Sequence, residues 1–360
     1  MPTLNSTPKK DGFRMPGEFE PHAGCWMLWP ERPDGWPFGA KPAQRAYVAV
    51  ASAIGRFEPV TVGVSAQQFL NARRLLPDYV RVVEISANDA WARDCAPTFV
   101  INKQGIVRGV DWEFNGWGGS YYTPYHLDNL VARKILELER LDRYHAPMIL
   151  EGGSIHVDGE GTLITTESCL LNPNRNPHLS KEEIETYLKE YLNLTKIIWL
   201  SRGVYLDNTA GHVDNLCCFI RPGVVALTWT DDTSDPQYEI SREVYEQLKA
   251  ATDARGRKLE IHQIHQPDPL YVTQEEVDNL DLVETTKPRY PGDRLTASYI
   301  NFYIANGGVI IPLFNDQNHD WAALETLQKL FPNRELVGIQ SRDINIGGGN
   351  IHCITMQQPR

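Results

Sequence analysis

Cys353 follows the run Gly347-Gly348-Gly349-Asn350-Ile351-His352, near the end of a 360-residue chain. Three consecutive glycines give up side-chain packing and let another group approach the backbone closely. A cysteine just past such an opening is either a small buried hydrophobe or a nucleophile at the mouth of a pocket. Other reactive residues stand at comparable points along the chain. Asp94 ends Trp91-Ala92-Arg93-Asp94, Glu151 opens Glu151-Gly152-Gly153, and His212 and Asp214 lie in Gly211-His212-Val213-Asp214. Each has an ordinary structural reading: a surface ion pair of Asp94 with Arg93, a turn cap at Glu151, a satisfied core histidine at 212, and backbone bonding by Asp214. As a set they make a chemical proposition. Three carboxylates in one empty pocket repel, but they suit a planar cation with several N–H donors. A guanidinium is such a cation, and carboxylates hold it in bidentate fashion. Its central carbon is a poor electrophile and calls for a thiolate. A histidine then protonates the departing nitrogen and activates water. Zinc is the competing use of His212, Asp214, Cys217, Cys218 and Cys353. Against it, the sequence has no Cys-x-x-Cys, and adjacent Cys217 and Cys218 on one strand point to opposite faces.

Bringing these residues together requires elements that repeat. Four apolar strand pairs are expected, each joined by a glycine-containing turn: Cys95–Val100 with Ile106–Trp112, Ser154–Val157 with Thr162–Thr166, His212–Ile220 with Val224–Trp229, and Tyr299–Ile304 with Val309–Leu313. On the third, His212 and Asp214 are two apart and share a face. After each pair come a helix and a further strand. The helix expected over Ser180–Asn193 opens with a capping-box pattern, Ser180 and Glu183. These are strand–strand–helix–strand units. A fifth is completed from both chain ends, Asn350–Met356 pairing with Cys25–Trp29, so that Cys353 rides on a short strand. Units of this size share a core with their neighbours. A closed ring of five is the economical arrangement, and an open α/β sheet is the alternative. In a ring the hairpin starts converge on the axis, which gathers Asp94, Glu151, His212, Asp214 and Cys353. Asp293, Arg294 and Ser298 on the fourth hairpin take no role in this scheme.

Composition bounds the partners. The chain is 42% hydrophobic and 22% charged with a formal net charge of −11 and no long basic run, which argues against nucleic acid and anionic membranes as partners. No apolar run reaches membrane-spanning length. The polar start lacks a signal-peptide core, so a cytoplasmic protein with reduced cysteines is expected. Residues 1–20 read as a loose arm on a single domain spanning 1–360.

The motifs Trp91-Ala92-Arg93-Asp94, Glu151-Gly152-Gly153-Ser154, Gly211-His212-Val213-Asp214 and Gly347-Gly348-Gly349-Asn350-Ile351-His352-Cys353 resemble those of the agmatine deiminases. These belong to the guanidine-modifying (pentein) superfamily. The resemblance runs from Pro16 to Gln358 and includes Ser298-Tyr299-Ile300-Asn301-Phe302-Tyr303, a stretch with no evident chemistry. It implies a five-bladed pseudo-symmetric α/β propeller and hydrolysis of agmatine to N-carbamoylputrescine and ammonia, a step toward putrescine. It also implies no metal or organic cofactor and a homodimer or larger assembly. Carried over, Cys353 is the nucleophile and forms an amidino-cysteine, and His212 is the general acid and base. Asp94 and Asp214 hold the guanidinium, Glu151 assists, and Trp91 lines the site. One departure stands out. Where the family runs Asp-Thr-x-Gly-His-x-Asp, this chain has Asn208, and the preceding Asp207 is the candidate to supply the missing charge. The same chemistry on free or peptidyl arginine, an amidinotransferase and a catalytically silent guanidine sensor are the competing readings.

Overall fold

The computed structural model describes residues 2–119, 123–284, 286 and 288–360. Among the described residues the strands form five separate sheets. Each is built on one plan: two strands paired with each other, and a third parallel to one of them. In the first, Thr98–Asn102 turns back antiparallel along Val107–Glu113, and Arg143–Ile149 lies parallel to the latter. Ile155–Val157, Thr162–Thr166 and Lys196–Leu200 repeat the plan. So do Cys217–Arg221, Val224–Trp229 and Glu260–His265, and Tyr303–Ile304, Gly308–Leu313 and Glu335–Gln340. The glycine turns fall where expected, with Gly105 at φ +77° and Gly223 at φ +78°, conformations that most other residues avoid.

Helices carry the chain between the second and third strands, as the parallel pairing requires. They span Val131–Glu139, Lys181–Leu192, Gln237–Ala250 and Gln317–Leu330. The Lys181 helix has the expected capping box: Ser180 Oγ accepts from Glu183 N, and Glu183 Oε2 accepts from Ser180 N. In the fifth sheet, Met356–Pro359 pairs antiparallel with His22–Leu28, which continues in parallel to Val60–Val64 and Arg81–Glu84. Both chain ends therefore close one sheet. The architecture is mixed α/β. Among the described residues, no helix is long and apolar enough to cross a membrane.

Three expectations need correction. The described part of the expected loose arm 1–20, residues 2–20, is not loose. Thr3–Leu4 and Phe13–Arg14 extend the first sheet at its two edges. Phe13 is 2% exposed, packed edge-on to Tyr144 under the Arg108 guanidinium. Burying one such ring is worth about 2 kcal/mol, and Met15 is buried in the same cluster, so a largely polar segment is anchored at these points. Second, His212 and Asp214 do not lie on a strand. Val213–Asn215 is a 3-10 turn, closed by Leu216 N donating to Val213 O, and the strand begins at Cys217. Third, Cys353 is on no strand either. Residues 351–354 form turns, with Ile354 N donating to Asn350 O and Thr355 N to His352 O. The first and fourth hairpins likewise open later than expected, at Thr98 and Tyr303. Before the strands at Thr98, Cys217 and Met356 a tight turn intervenes, and it is the turn that presents Asp94, Asp214 or Cys353.

Candidate active site

These turns meet. Asp94 sits in the one-turn helix Ala92–Cys95, Gly153 in the turn Gly152–Ser154, and Asp214 in Val213–Asn215. Gly153 is the point of closest approach. A Cβ there would lie 2.6 Å from His212 Nδ1, 2.9 Å from Asp214 Oδ2 and 3.0 Å from Asp94 Oδ1. Three reactive side chains thus occupy the space that any other residue would need. Gly153→Ala is expected to displace them and lower kcat/KM by about 100-fold, the usual cost of misplacing reacting groups by an ångström. Ammonia release by the purified variant checks this. Activity within threefold of the parent would contradict the packing described.

Cys353 is 6% exposed and opens on a pocket lined by Trp91, Asp94, Trp117, Asn208, His212 and Gly348, among others. Its thiol donates to Asp214 Oδ2 at 3.4 Å, and Asn301 Nδ2 donates to its sulfur at 3.2 Å. Burial, then the negative charges of Asp214 and Asp94, push the thiol well above its ordinary range. His212 lies between two acids, Nδ1 3.8 Å from Asp94 Oδ1 and Nε2 3.9 Å from Glu151 Oε2. Burial works to depress its pKa, but Asp94 and then the side chains of Cys169 and Glu151 outweigh it and hold His212 well above the usual histidine value. These neighbours therefore favour a thiol on Cys353 and an imidazolium on His212 at neutral pH.

The carboxylates differ in their settings. Asp94 accepts from Trp117 Nε1 (2.9 Å) and Gly153 N (3.0 Å), yet burial raises its pKa. Glu151 is fully buried. Burial would raise it too, but the Arg175 guanidinium, 2.6 Å from Oε1, brings it below the ordinary value with help from His212. Asp214 is likewise lowered against burial, chiefly by His352, whose Nδ1 is 3.0 Å from Asp214 Oδ2. His352 Nε2 in turn lies 2.9 Å from Glu18 Oε1, and Arg93 Nη1 donates to that same oxygen at 3.0 Å. Arg93 N also donates to Cys353 O. A buried chain Arg93–Glu18–His352–Asp214 thus backs the turn that carries Cys353.

Sequence reasoning found Asp94, Glu151, His212, Asp214 and Cys353, and the structure brings all five together. Trp91 lines the pocket, stacked on Trp36 at 5.2 Å. Asn208 lines it as well, whereas Asp207 does not. The Asp207 carboxylate accepts from Thr209 Oγ1 (2.5 Å), Gly211 N (3.0 Å) and His212 N (2.8 Å), so its charge holds the loop that carries His212. Arg294 is committed to Asp235 through two bonds of 3.0 and 2.7 Å, and Ser298 to Thr228. Glu18, Trp117, Arg175, Asn301 and His352 escaped the sequence reading as site residues. No local pattern marks them, although Asn301 and His352 lie inside motifs already singled out.

Among the described residues, two buried trios could approach one cation, Glu151 with Cys169 and His212, and Glu18 with His156 and His352. Each already has an arginine on its carboxylate, Arg175 and Arg93, which supplies positive charge there. Of the earlier zinc candidates, Cys217 packs among Ile198, Leu216 and Leu227, and Cys218 in a different cluster with Ile300 and Ile304.

A buried cysteine beside facing carboxylates and an acid-flanked histidine is the equipment of enzymes that attack a cationic carbon with sulfur. The family model described as Porphyromonas-type peptidyl-arginine deiminase matches residues 14–359. Agmatine deiminase of Pseudomonas aeruginosa is 58% identical over 364 residues, covering 100% of this chain and 99% of that one. Agmatine deiminase of Medicago truncatula is 56% identical, covering 99% of both. Among solved structures, agmatine deiminase of Enterococcus faecalis superposes with a TM-score of 0.97 at 51% identity over the whole of both chains. The chain belongs to the agmatine deiminase family.

Proposed function

We propose that this chain hydrolyses agmatine to N-carbamoylputrescine and ammonia through an amidino intermediate on Cys353. The observation that carries the reading is the placement of the Cys353 thiol against Asp214, in a pocket that also holds Asp94 and the acid-flanked His212. The guanidinium lies between Asp94 and Asp214, and Trp91 and Asn208 flank the rest of the substrate. Its positive charge offsets Asp214 and Asp94, which add to burial in holding the thiol protonated, so binding favours the thiolate and the thiol proton leaves to solvent. Sulfur attacks the guanidinium carbon. The C–N bond to a terminal nitrogen breaks as the His212 imidazolium protonates it, and ammonia leaves. Neutral His212, steadied by Glu151, then takes a proton from water as the oxygen attacks the amidino carbon. The C–S bond breaks, and the last hydroxyl proton returns to sulfur as the carbonyl forms.

The five sheets of one plan, each contributing turns or strands around these residues, support a five-bladed α/β propeller forming one catalytic domain over 1–360. A cytoplasmic homodimer acting on the way to putrescine completes the proposal.

Substrate choice tests it. Among the described residues lining the pocket there is no lysine or arginine, and Arg294 is held by Asp235. The α-carboxylate of free arginine would therefore enter an acidic site without a partner. An unpaired buried charge costs several kcal/mol, so kcat/KM for agmatine is expected to exceed that for arginine by about 100-fold or more, since about 1.4 kcal/mol is tenfold. Ammonia release from both at one pH and salt concentration measures the ratio. Comparable values would remove agmatine as the substrate and leave the sulfur chemistry standing.

A further inference from the structure

Asn301 comes from the turn before the fourth hairpin, the unit to which sequence reasoning gave no chemistry. Its side chain is fully buried and directed at the nucleophile. The carbonyl oxygen Oδ1 accepts from His352 N (3.0 Å) and Cys353 N (3.4 Å), and the backbone oxygen also accepts from His352 N (3.1 Å). Two backbone donors therefore fix which way the amide faces. Its other end, Nδ2, is left pointing at Cys353 Sγ (3.2 Å) and Asn215 Oδ1 (3.1 Å). Asn215 closes the set by donating to Asp214 Oδ1 at 3.3 Å.

Around the sulfur these groups split by charge. Asp214 can accept a proton or a hydrogen bond but gives none when ionised. As a thiol, Cys353 is satisfied by donating to Asp214 Oδ2 or to Asn301 Oδ1. As a thiolate it faces that same carboxylate unfavourably and needs a donor. The Asn301 amide is a side-chain donor within 3.2 Å of it.

We propose that Asn301 is a catalytic residue, whose Nδ2–H donates to the Cys353 thiolate and to the sulfur when it is released as leaving group from the amidino intermediate. This rests on Cys353 being the nucleophile, as argued above. The amide does for sulfur what backbone N–H groups do for an oxyanion: it is a fixed dipole aimed at the atom where negative charge appears. It also explains why a neutral asparagine occupies a position where a third carboxylate beside sulfur would oppose ionisation.

The test follows the thiol itself. The rate of Cys353 alkylation by iodoacetamide, a neutral reagent, is measured against pH with the modified peptide identified by mass. The full-length parent protein is compared with Asn301→Ala. Losing a hydrogen bond to a charged group is expected to move the midpoint up by about 1 to 2 pH units. On agmatine, kcat is expected to fall about 10- to 100-fold. Agmatine binding to Cys353→Ser is expected to change less than threefold when Asn301→Ala is added, because the sulfur is already gone. An unmoved alkylation midpoint in a folded variant overturns the proposal. So does a tenfold loss of binding in the serine background, which would make Asn301 a scaffold for the turn. Should the alanine protein fail to fold, Asn301→Ser repeats the measurement with a side chain too short to reach sulfur. Failure of both to fold also contradicts the proposal, by assigning the amide to holding the turn. The alkylation curve needs no substrate, so it stands even if agmatine proves not to be one.

Discussion

Cys353→Ser is expected to lose activity on agmatine by on the order of 10⁴-fold or more, with its melting temperature little changed. The site supplies the reason. Burial, then Asp214 and Asp94, already raise the thiol's pKa, and the bound guanidinium has to offset the carboxylates' share. A hydroxyl starts many units higher and stays protonated in the same field. The substitution keeps the side chain's shape and its donor to Asp214, so substrate binding is expected to survive. Loss of kcat with retained agmatine affinity distinguishes a missing nucleophile from a damaged fold. A serine protein with a tenth of the parent rate would make attack by Cys353 untenable.

His212→Ala is expected to cost about 10³-fold in kcat, within the range for a positioned proton donor and acceptor. The geometry asks two jobs of it: protonating the departing nitrogen and deprotonating water. Both halves of the reaction should therefore slow. A second penalty adds to this. His212 is flanked by Asp94 and Glu151 at 3.8 and 3.9 Å, and without the imidazolium those buried carboxylates lose a neighbouring positive charge. Asp94, already raised by burial, is then expected to hold a proton more readily and to grip the guanidinium less well, so KM should rise along with the fall in kcat. Steady-state rates on agmatine check both. A fall in kcat below tenfold would place the proton transfers on another group.

Asp94, Glu151, His212 and Asp214 are legible in the sequence because each precedes a glycine-turn hairpin, and hairpins announce themselves locally; Cys353 stands instead behind its own glycine run, Gly347 to Gly349. Alternating apolar strands around Gly105 or Gly223 need no tertiary knowledge to be read. What carried the reactive residues was misread for the same reason. The run from His212 to Ile220 is apolar enough to suggest one strand, but the Val213–Asn215 turn interrupts it. Its hydrogen bond, Leu216 N to Val213 O, leaves no trace in the alternation. The apolar run around Cys353 predicts a strand there, but the strand begins three residues later, at Met356. Glu18 illustrates what lay out of reach. It sits in a polar, proline- and glycine-bearing segment that reads as an arm, and only the fold brings it to His352, 334 residues away in sequence. Arg175 and Asn301 are likewise defined by partners far along the chain. Asp207 is visible in the sequence as a candidate charge, but a carboxylate near a pocket and one that caps the loop beside it, as Asp207 does, look alike there.

The claim on which the rest depends is that Cys353 becomes covalently bonded to the substrate's guanidinium carbon. Mixing the parent protein with excess agmatine, quenching in acid within the first turnovers and weighing the Cys353 peptide tests this directly. The expected result is a peptide heavier by agmatine less one ammonia, appearing and then decaying as substrate is consumed, and missing from Cys353→Ser. Rapid quenching that catches ammonia release at full rate with Cys353 unmodified throughout would contradict it.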